Sequence, residues 1–481
     1  MPLILPGNVA SATAATGYDV DNSCRFNFGD DPKLSKSVSS GSGSTKFTFS
    51  CWFKTTTVNS SYGRILWNGD SGGSYETGIT MYADGRLSVA WNNGSDGGRT
   101  WLTNADYLDP AAWYHLVVRY DSTDGTAGDR LQIWINGVRN TSFSSSTNPG
   151  SNEVINVFKA DVLSIGREVT SEDRFSFDGY LAEVCVIDNT AYTATDFGEF
   201  DDDSPTIWKP IDVSGLTFGT NGFYLDFKAS GNLGNDANGG TDLDESNIAA
   251  TDQSTDTPTL NYATLNPLVC GSYATLSEGN LKLTGNTSSD SGTCYATIAF
   301  PENGKWYIEE KMTDVDSGGQ FPESGIQNDA ETSNFQTNLN SSVGMPYKTN
   351  GSSVNCSGNI MLDGSSAHSI STISDGAIKQ FAIDMDNGAV YYGLNNTWYN
   401  SGDPTSGASR TGAIDTWTAG TRLNTWYGTS GYNGSDSETN FGSPTYANSS
   451  DAADADGSGQ FEYAPPSGYF ALNSKNLAEY G

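Results

Sequence analysis

Short runs of alternating apolar residues, each broken by an Asn-Gly or Asp-Gly pair, constrain the fold of this chain more than any other feature. Alternation with period two gives a strand one apolar face, and these pairs favour the two-residue turn of a hairpin. A hairpin with one apolar and one mixed face is one layer of a sandwich, so the pattern predicts an all-β fold. The runs with their turn pairs are Ile79–Trp91 with Asp84-Gly85, Leu131–Val138 with Asn136-Gly137, and Phe381–Leu394 with Asn387-Gly388.

The length of the chain predicts more than one domain. At 481 residues it is too long for a single hydrophobic core. Residues 231–259 are rich in Asp, Asn, Gly and Thr without a sustained period, and strand-like alternation resumes near Ala274. We therefore expect two jelly-roll-like β-sandwich domains in tandem behind an extended N-terminal arm. The predicted boundaries are an arm at 1–20, a sandwich at 21–230, a connector at 231–268 and a second sandwich at 269–481.

The charge balance excludes two classes of partner. The chain has 24 Lys plus Arg against 57 Asp plus Glu, a formal net charge of −33. Nucleic acid and anionic membrane surfaces are therefore not expected as partners. No stretch approaches the roughly 18 apolar residues of a spanning helix, and the N-terminus has no basic region before an apolar run. We expect neither membrane insertion nor classical secretion.

The cysteines are scattered without any metal-ligand spacing, so we interpret them as mostly buried free thiols. A protein assembled in a reducing cytoplasm fits that interpretation, and a Cys24–Cys51 bridge stays open as an alternative. The six positions are Cys24, Cys51, Cys185, Cys270, Cys294 and Cys356.

Three motifs in the N-terminal half resemble one superfamily. They are FTFSCWFKT (Phe47–Thr55), LQIWINGVR (Leu131–Arg139) and FDGYLAEVCVIDNTAY (Phe177–Tyr192). Together they resemble the laminin-G-like, concanavalin A-like lectin/glucanase superfamily. The continuation Ala194–Phe227 is similar to a version in structural proteins of tailed bacteriophages, and this similarity spans about residues 1–268.

The C-terminal half resembles a SPRY-like sandwich. The motifs that carry the resemblance are GKWYIEEKM (Gly304–Met312), the hairpin Phe381–Asn400, and the ending from NFGSPTYANSS at Asn440 to FALNSKNL at Leu477. Both resemblances imply a two-sheet sandwich whose loops bind carbohydrate or protein. Function varies widely on such scaffolds, so activity follows from them only by analogy.

No catalytic motif is found, so we expect a protein that is not an enzyme. Hydrolases on this fold use two carboxylates in an E-x-D-x-x-E strand, and the nearest acidic pairs, Glu309-Glu310 and Asp314-Asp316, have the wrong spacing. The two histidines are His115 and His368. His115 lies in WYHLVVRY beside large residues and is interpreted as structural, and no G-x-S-x-G motif accompanies either histidine.

Glycan binding needs an aromatic platform together with planar polar groups for sugar hydroxyls. Two segments contain those residue types, and a packed aromatic residue without a ligand is the alternative at each position. The first candidate site is Trp91, Asn92, Asn93, Asp96, Arg99 and Trp101, and the second is Tyr427, Tyr432, Asn433 and Asp436.

The segment Asp454, Asp456 and Ser458 matches the first half of a calcium loop, with Gly459 for the turn. The match fails at the twelfth position, where Pro465 stands in place of a bidentate Glu. A solvated turn is the alternative. We therefore expect no required cofactor, with Ca²⁺ as the candidate ion at this loop.

These observations predict a virion surface protein of a tailed phage, a short tail fibre or head fibre, that binds host-surface carbohydrate or protein non-covalently. It would assemble in the host cytoplasm, dock on other virion proteins through its arm, and form a homo-oligomer on the particle. The alternatives are a capsid decoration, cement or collar protein with a structural role, and a capsule depolymerase.

Overall fold

The computed structural model describes residues 17–38, 43–56, 62–69, 75–92, 98–159, 161–169, 175–286, 290–316, 321–328, 340–341, 351–422 and 424–481. The chain forms two compact units whose boundary lies between Thr259 and Leu260. Nearly all of the regular secondary structure in both is antiparallel strand, which confirms the predicted all-β class of tandem sandwiches. Over the described residues, no helix is long and apolar enough to cross a membrane.

The N-terminal unit contains eighteen strands within the described ranges. They are β1 (Ser23–Phe26), β2 (Lys33–Val38), β3 (Lys46–Thr55), β4 (Gly63–Gly69), β5 (Glu76–Met81), β6 (Arg86–Asn92), β7 (Gly98–Asp106), β8 (Tyr114–Asp121), β9 (Leu131–Ile135), β10 (Val138–Arg139), β11 (Phe143–Ser145), β12 (Asp161–Ile165), β13 (Gly179–Asp188), β14 (Gly198–Phe200), β15 (Trp208–Pro210), β16 (Phe223–Leu225), β17 (Asp244–Ser246) and β18 (Gln253–Ser254). Short 3-10 turns lie at Phe28–Asp30, Ala127–Asp129, Ala194–Asp196 and Ala250–Asp252.

Two large sheets face each other in this unit. The first has the order β10-β9-β8-β3-β13-β1-β18, with β16 added beside β13, and the second has the order β11-β7-β6-β5-β4-β12-β2-β17. Phe49, Leu116 and Leu181 from the first sheet and Ile79 and Val89 from the second pack into one core. Burying such side chains is the main favourable term in folding. A smaller apolar cluster covers the other face of the first sheet, beneath residues 190–225.

The C-terminal unit repeats the sandwich plan with β19 (Leu265–Cys270), β20 (Ala274–Ser277), β21 (Lys282–Gly285), β22 (Ser291–Ala296), β23 (Lys305–Asp314), β24 (Glu323–Asn328), β25 (Asn340–Ser341), β26 (Gly351–Val354), β27 (Asn359–Leu362), β28 (Ser365–Ser369), β29 (Ile378–Asp384), β30 (Ala389–Leu394), β31 (Thr397–Trp398), β32 (Asp415–Thr416), β33 (Thr425–Gly431), β34 (Asp436–Asn440) and β35 (Phe470–Ala471). Its described helices are α1 (Ser474–Tyr480) and 3-10 turns at Tyr399–Ser401 and Gly407–Ser409. The sheets run β19-β22-β33-β24-β26-β27-β28 and β20-β21-β34-β23-β29-β30-β31.

All three predicted hairpins are present. Met81 pairs with Leu87, Ile135 with Val138, and Asp384 with Ala389. At the second hairpin Asn136 and Gly137 both have positive φ, 47° and 74°. Two consecutive left-handed residues make the turn whose twist matches antiparallel strands, which is why Asn-Gly is favoured there.

The segment 231–268, predicted as a connector, is not a free linker in the structure. Its strands β17 and β18 pair with β2 and β1, and each is an edge strand of one of the two N-terminal sheets. Asp256 also forms a buried ion pair with Lys54, 2.8 Å away. A segment without alternation can join a sandwich because two- or three-residue edge strands are too short to show a period.

Residues 1–16 of the predicted arm, 1–20, lie outside the described residues. From residue 17 onward it packs on the N-terminal unit. Val20 is buried, and its backbone N–H donates to Thr259 Oγ1 at 3.0 Å. The Tyr18 hydroxyl donates to the Glu183 carboxylate at 3.4 Å.

Four of the six cysteines, at positions 24, 51, 185 and 356, are buried free thiols, as predicted. The other two differ from that interpretation, because Cys270 and Cys294 are joined by a disulfide. They lie directly opposite each other on β19 and β22, with Cα atoms 4.0 Å apart. Cross-strand register brings them together, and their spacing of 24 residues in sequence does not reveal it.

Candidate functional site

A groove of about 350 Å³ lies on the N-terminal unit, across β4, β5, β6 and β7. Alternation explains its floor: Ile79 and Val89 point into the core, so Gly78 and Ala90 beside them point to the opposite face of the sheet. Gly78 pairs with Ala90, and Ala90 pairs with Thr100, which places three small residues side by side across three strands. We call this cavity the β4–β7 groove.

Three aromatic rings form one wall of the β4–β7 groove. Tyr62 packs edge-on against Tyr82, with ring centroids 4.7 Å apart, and against Phe175, with centroids 5.7 Å apart. The Tyr62 side chain is 44% exposed, so part of its ring faces solvent. An exposed aromatic ring beside hydrogen-bonding groups is the surface on which the apolar face of a sugar stacks.

Arg64 organises the polar side of the groove. Its Nε and Nη2 donate to Glu168 Oε2 at 3.0 and 2.9 Å, and Nη2 also donates to Glu76 Oε1. Nη1 donates to Thr80 Oγ1 at 2.6 Å, and the guanidinium lies over the Phe175 ring, 5.4 Å from its centroid. The head group therefore links both carboxylates to the aromatic wall.

Gly78 makes room for this arrangement. A Cβ atom at Gly78 would lie 2.5 Å from Arg64 Nη1, which is far inside van der Waals contact. The strand therefore needs a residue without a side chain at this position for the guanidinium to lie on the sheet. Isolated glycine within a strand pattern is the sequence signal that marks such a close approach.

The first predicted site overlaps the groove only in part. Trp91, Asn92 and Arg99 line it, whereas Asn93 and Asp96 lie outside the described residues. The rings of Trp91 and Trp101 are 2% and 6% exposed and belong to the core.

Hydrogen bonds fix both of these indoles. Trp91 Nε1 donates to Glu153 Oε1 at 2.9 Å, and Trp101 Nε1 donates to the Thr147 carbonyl at 2.9 Å. Neither ring offers a face to a sugar. The lining residues that sequence reasoning missed are Tyr62, Arg64, Glu76, Thr80, Tyr82, Ser88, Ala90, Gly98, Thr100 and Phe175. It also missed Gly78 and Glu168, which lie against Arg64.

The second predicted site is not assembled in the structure. Tyr427 is fully buried in the core of the C-terminal unit, with its ring 5.3 Å from that of Phe381. Tyr432 is half-buried, Asn433 is exposed in a turn with a φ of 52°, and Asp436 pairs with Lys282 at 3.0 Å. The alternation of β33 directs the Tyr427 ring into the core, so this ring offers no face to a ligand.

The predicted calcium loop has its main carboxylate occupied by donors. Asp454 Oδ1 accepts the backbone N–H groups of Asp456 and Ser458, and Oδ2 accepts the Ala471 N–H at 2.7 Å and Asn476 Nδ2 at 2.9 Å. Asp456 in turn pairs with a lysine, Lys475, at 2.8 Å. Among the described residues, no group of three or more His, Cys, Asp or Glu side chains is placed to hold a metal ion.

His115 is structural, as predicted. It is buried against Trp52, with ring centroids 4.7 Å apart, and burial lowers its pKa to about 3. Its Nδ1 accepts the Trp208 Nε1–H at 2.9 Å, so the ring proton lies on Nε2 and points to Ser50 Oγ, also 2.9 Å away. An imidazole that donates to the serine cannot take that serine's proton, so this pair is not a nucleophile and base.

Comparison with known proteins bears on the N-terminal unit first. Residues 28–196 match the family model of the concanavalin A-like lectin/glucanases superfamily. This agrees with the laminin-G-like resemblance of the three N-terminal motifs. No match was found among curated proteins.

Solved structures with a similar fold include three at low identity. A heptameric SAP-like pentraxin from Limulus polyphemus is 17% identical over 37% of this chain and 80% of its own, with a TM-score of 0.27. The SPRY domain of human HERC1 is 12% identical over 36% of this chain and 96% of its own, with a TM-score of 0.26. Domains LG4-5 of the mouse laminin α1 chain are 11% identical over 88% of this chain and 85% of their own, with a TM-score of 0.31.

Proposed function

We propose that this chain is a non-catalytic glycan-binding protein and that its N-terminal lectin-like unit holds carbohydrate in the β4–β7 groove. The observation that supports this best is the exposed ring of Tyr62 beside a floor of small residues and a row of polar groups. Sugar hydroxyls find acceptors in the Glu76 carboxylate and hydroxyl partners in Thr80 and Ser88. The groove is at the small end of ligand sites, which suits one or a few sugar residues.

The test is a pair of substitutions in the groove with matched controls. Tyr62→Ala removes the exposed ring, and we expect it to weaken glycan binding about tenfold or more. Phe28→Ala is the control, because Phe28 is also 44% exposed on the same unit but does not line the groove. Binding is measured by calorimetry or affinity electrophoresis. Equal binding by both variants would show that the glycan does not bind in the β4–β7 groove.

The second substitution, Gly78→Ala, probes the position of the Arg64 guanidinium. The added methyl group displaces the flexible end of Arg64, so the sandwich should stay folded while the groove loses its polar arrangement. Gly128→Ala is the control, since a Cβ there meets no atom within 4 Å. Weaker binding by the first variant alone supports the groove, whereas unchanged binding by both contradicts its use.

We propose binding without hydrolysis or a cofactor. Glu76 in the groove and Glu168 beside it share the Arg64 guanidinium, so neither is arranged as the proton donor that glycoside hydrolysis needs. Incubation with a bound polysaccharide should release no new reducing ends. EDTA should leave binding unchanged, and a loss of binding would instead indicate a Ca²⁺-dependent site.

We further propose that the protein acts on the surface of a tailed-phage particle, docked through residues 1–20 and present in several copies. The support is the similarity of Ala194–Phe227 and its flanking segments to phage structural proteins. Cryo-electron microscopy of the particle would test the location. Density on a tail or fibre with exposed grooves supports attachment to a host, whereas grooves covered between capsid subunits favour a decoration or cement protein.

A further inference from the structure

Each arginine that the structure describes at the β4–β7 groove is paired with a carboxylate. Arg64 contacts Glu76 and, at 2.9 Å, Glu168. Arg99 contacts Glu153 at 2.8 Å. A third arginine, Arg86, does not line the groove but lies over the ring of the groove residue Tyr82 and contacts Asp84 at 2.8 Å. Among the described residues, three cations therefore lie beside four carboxylates here, and together these side chains carry no net positive charge.

The guanidinium of Arg64 has little donor capacity left for a ligand. Nε and Nη2 both donate to Glu168, Nη2 also donates to Glu76, and Nη1 donates to Thr80. An acidic ligand group would have to replace one of these carboxylates. The displaced carboxylate would then lose its cation at a partly buried position, which is unfavourable.

The net charge of the whole chain also disfavours the binding of acidic ligands. The chain has a formal net charge of −33, so a polyanion approaches against repulsion from the whole surface. The Glu76 side chain is 32% exposed, which leaves part of its carboxylate open to a ligand. A sugar hydroxyl can donate to that oxygen, whereas a sulfate, phosphate or uronate group cannot.

We infer that the β4–β7 groove selects uncharged sugars and excludes acidic ones, with Glu76 and Glu168 as the residues that set this preference. The inference rests on the proposed glycan-binding function. A neutral glycan keeps the carboxylate–guanidinium network intact and adds hydrogen bonds to it, while an acidic glycan must break the network. Specificity then comes from an unfavourable interaction with the wrong ligand as much as from contacts with the right one.

The experiment compares neutral polysaccharides with their own sulfated derivatives. Dextran, mannan, galactan and xylan are tested for binding to the full chain, followed by the sulfated form of each that binds. We expect the neutral form to bind at least about tenfold more tightly near 0.15 M salt. The difference should narrow as salt rises, because screening weakens the repulsion.

Glu76→Gln isolates the charge. The glutamine keeps the shape of the side chain and removes one negative charge beside Arg64, so the affinity for sulfated relative to neutral polysaccharide should rise about threefold or more at low salt. Glu479→Gln, an exposed position in the C-terminal unit, makes the same change in net charge and should leave the ratio unchanged.

The outcomes separate this inference from the proposed function. The selectivity and the proposed function are both supported if neutral polysaccharide binds in a Tyr62-dependent way, sulfated polysaccharide binds weakly, and Glu76→Gln improves the binding of the sulfated form. Sulfated binding that is equal or stronger and also depends on Tyr62 overturns the selectivity and leaves glycan binding in place. If Tyr62→Ala weakens the binding of no polysaccharide, neutral or acidic, both the selectivity and the proposed function are overturned.

Discussion

The buried ion pair between Lys54 and Asp256 gives the sharpest test of the structure. Their side chains are 0% and 2% exposed and lie 2.8 Å apart, and Asp256 also accepts the Trp113 Nε1–H at 3.0 Å. Lys54→Met leaves the carboxylate buried with that indole as its remaining side-chain hydrogen-bond donor in the described structure. Removing one partner of a buried pair costs about 3–5 kcal/mol. The N-terminal unit should therefore melt about 6–20 °C lower.

The double variant Lys54→Met/Asp256→Asn checks that reasoning. Asparagine keeps an acceptor for the Trp113 indole and removes the stranded charge, so stability should recover to within about 1–2 kcal/mol of the parent protein. Scanning calorimetry of the full chain measures the transitions, and hydrogen exchange assigns them to the units. A loss below about 1 kcal/mol in Lys54→Met would refute the burial of residue 256 in the N-terminal sandwich.

Three further predictions follow from the titration and redox state of buried groups. Burial lowers the pKa of His115 to about 3, so the neutral ring contributes stability above its unfolded pKa near 6.5, and this contribution is lost as pH falls. Urea unfolding should therefore show the N-terminal unit about 2 kcal/mol less stable at pH 5 than at pH 7.5. His115→Gln should flatten this pH dependence. Burial raises the pKa of Glu309 to about 7, so the protonated carboxyl contributes stability below about pH 4.5, and this contribution is lost as pH rises through 7. The free energy of unfolding of the C-terminal unit should fall by up to about 3 kcal/mol by pH 8. Glu309→Gln should not show this loss. Thiol titration of the unfolded, unreduced chain should give four thiols rather than six, whereas six without reduction would contradict the Cys270–Cys294 bond.

Local patterns predicted the layers of the fold because strands and tight turns are encoded over a few residues. The pair Asn136-Gly137 specifies its turn through two left-handed conformations, and alternation on either side specifies which face is buried. The segment around Asp256 was assigned to a connector because its role depends on a lysine 202 residues away. No local period reports a partner at that distance.

The candidate site was harder to predict because its members are distant in sequence and adjacent only through strand pairing. Tyr62 and Phe175 lie outside the runs that the pattern identifies, and Tyr82 lies at the turn of the first predicted hairpin. The sequence did contain evidence against Trp91 as a platform: it lies two residues after Val89, so the alternation that predicts strand β6 also directs its ring to the core. The alternation of side chains along a strand shows which aromatic residues are buried and cannot serve as a platform. It is a more reliable guide than the residue type alone.

The dimensions of the groove bear on how such a protein would attach to a surface. A cavity of about 350 Å³ covers little of a polysaccharide, so each copy gains few contacts and weak affinity is expected. Several copies held on one particle convert later binding events into intramolecular ones, which can raise the overall affinity about 10²–10⁴-fold. The monomeric chain should then bind soluble oligosaccharide weakly, while the same chain clustered on beads retains polysaccharide strongly. Equal retention by single and clustered copies would show that one groove suffices, and the proposed multivalent attachment would lose its physical basis.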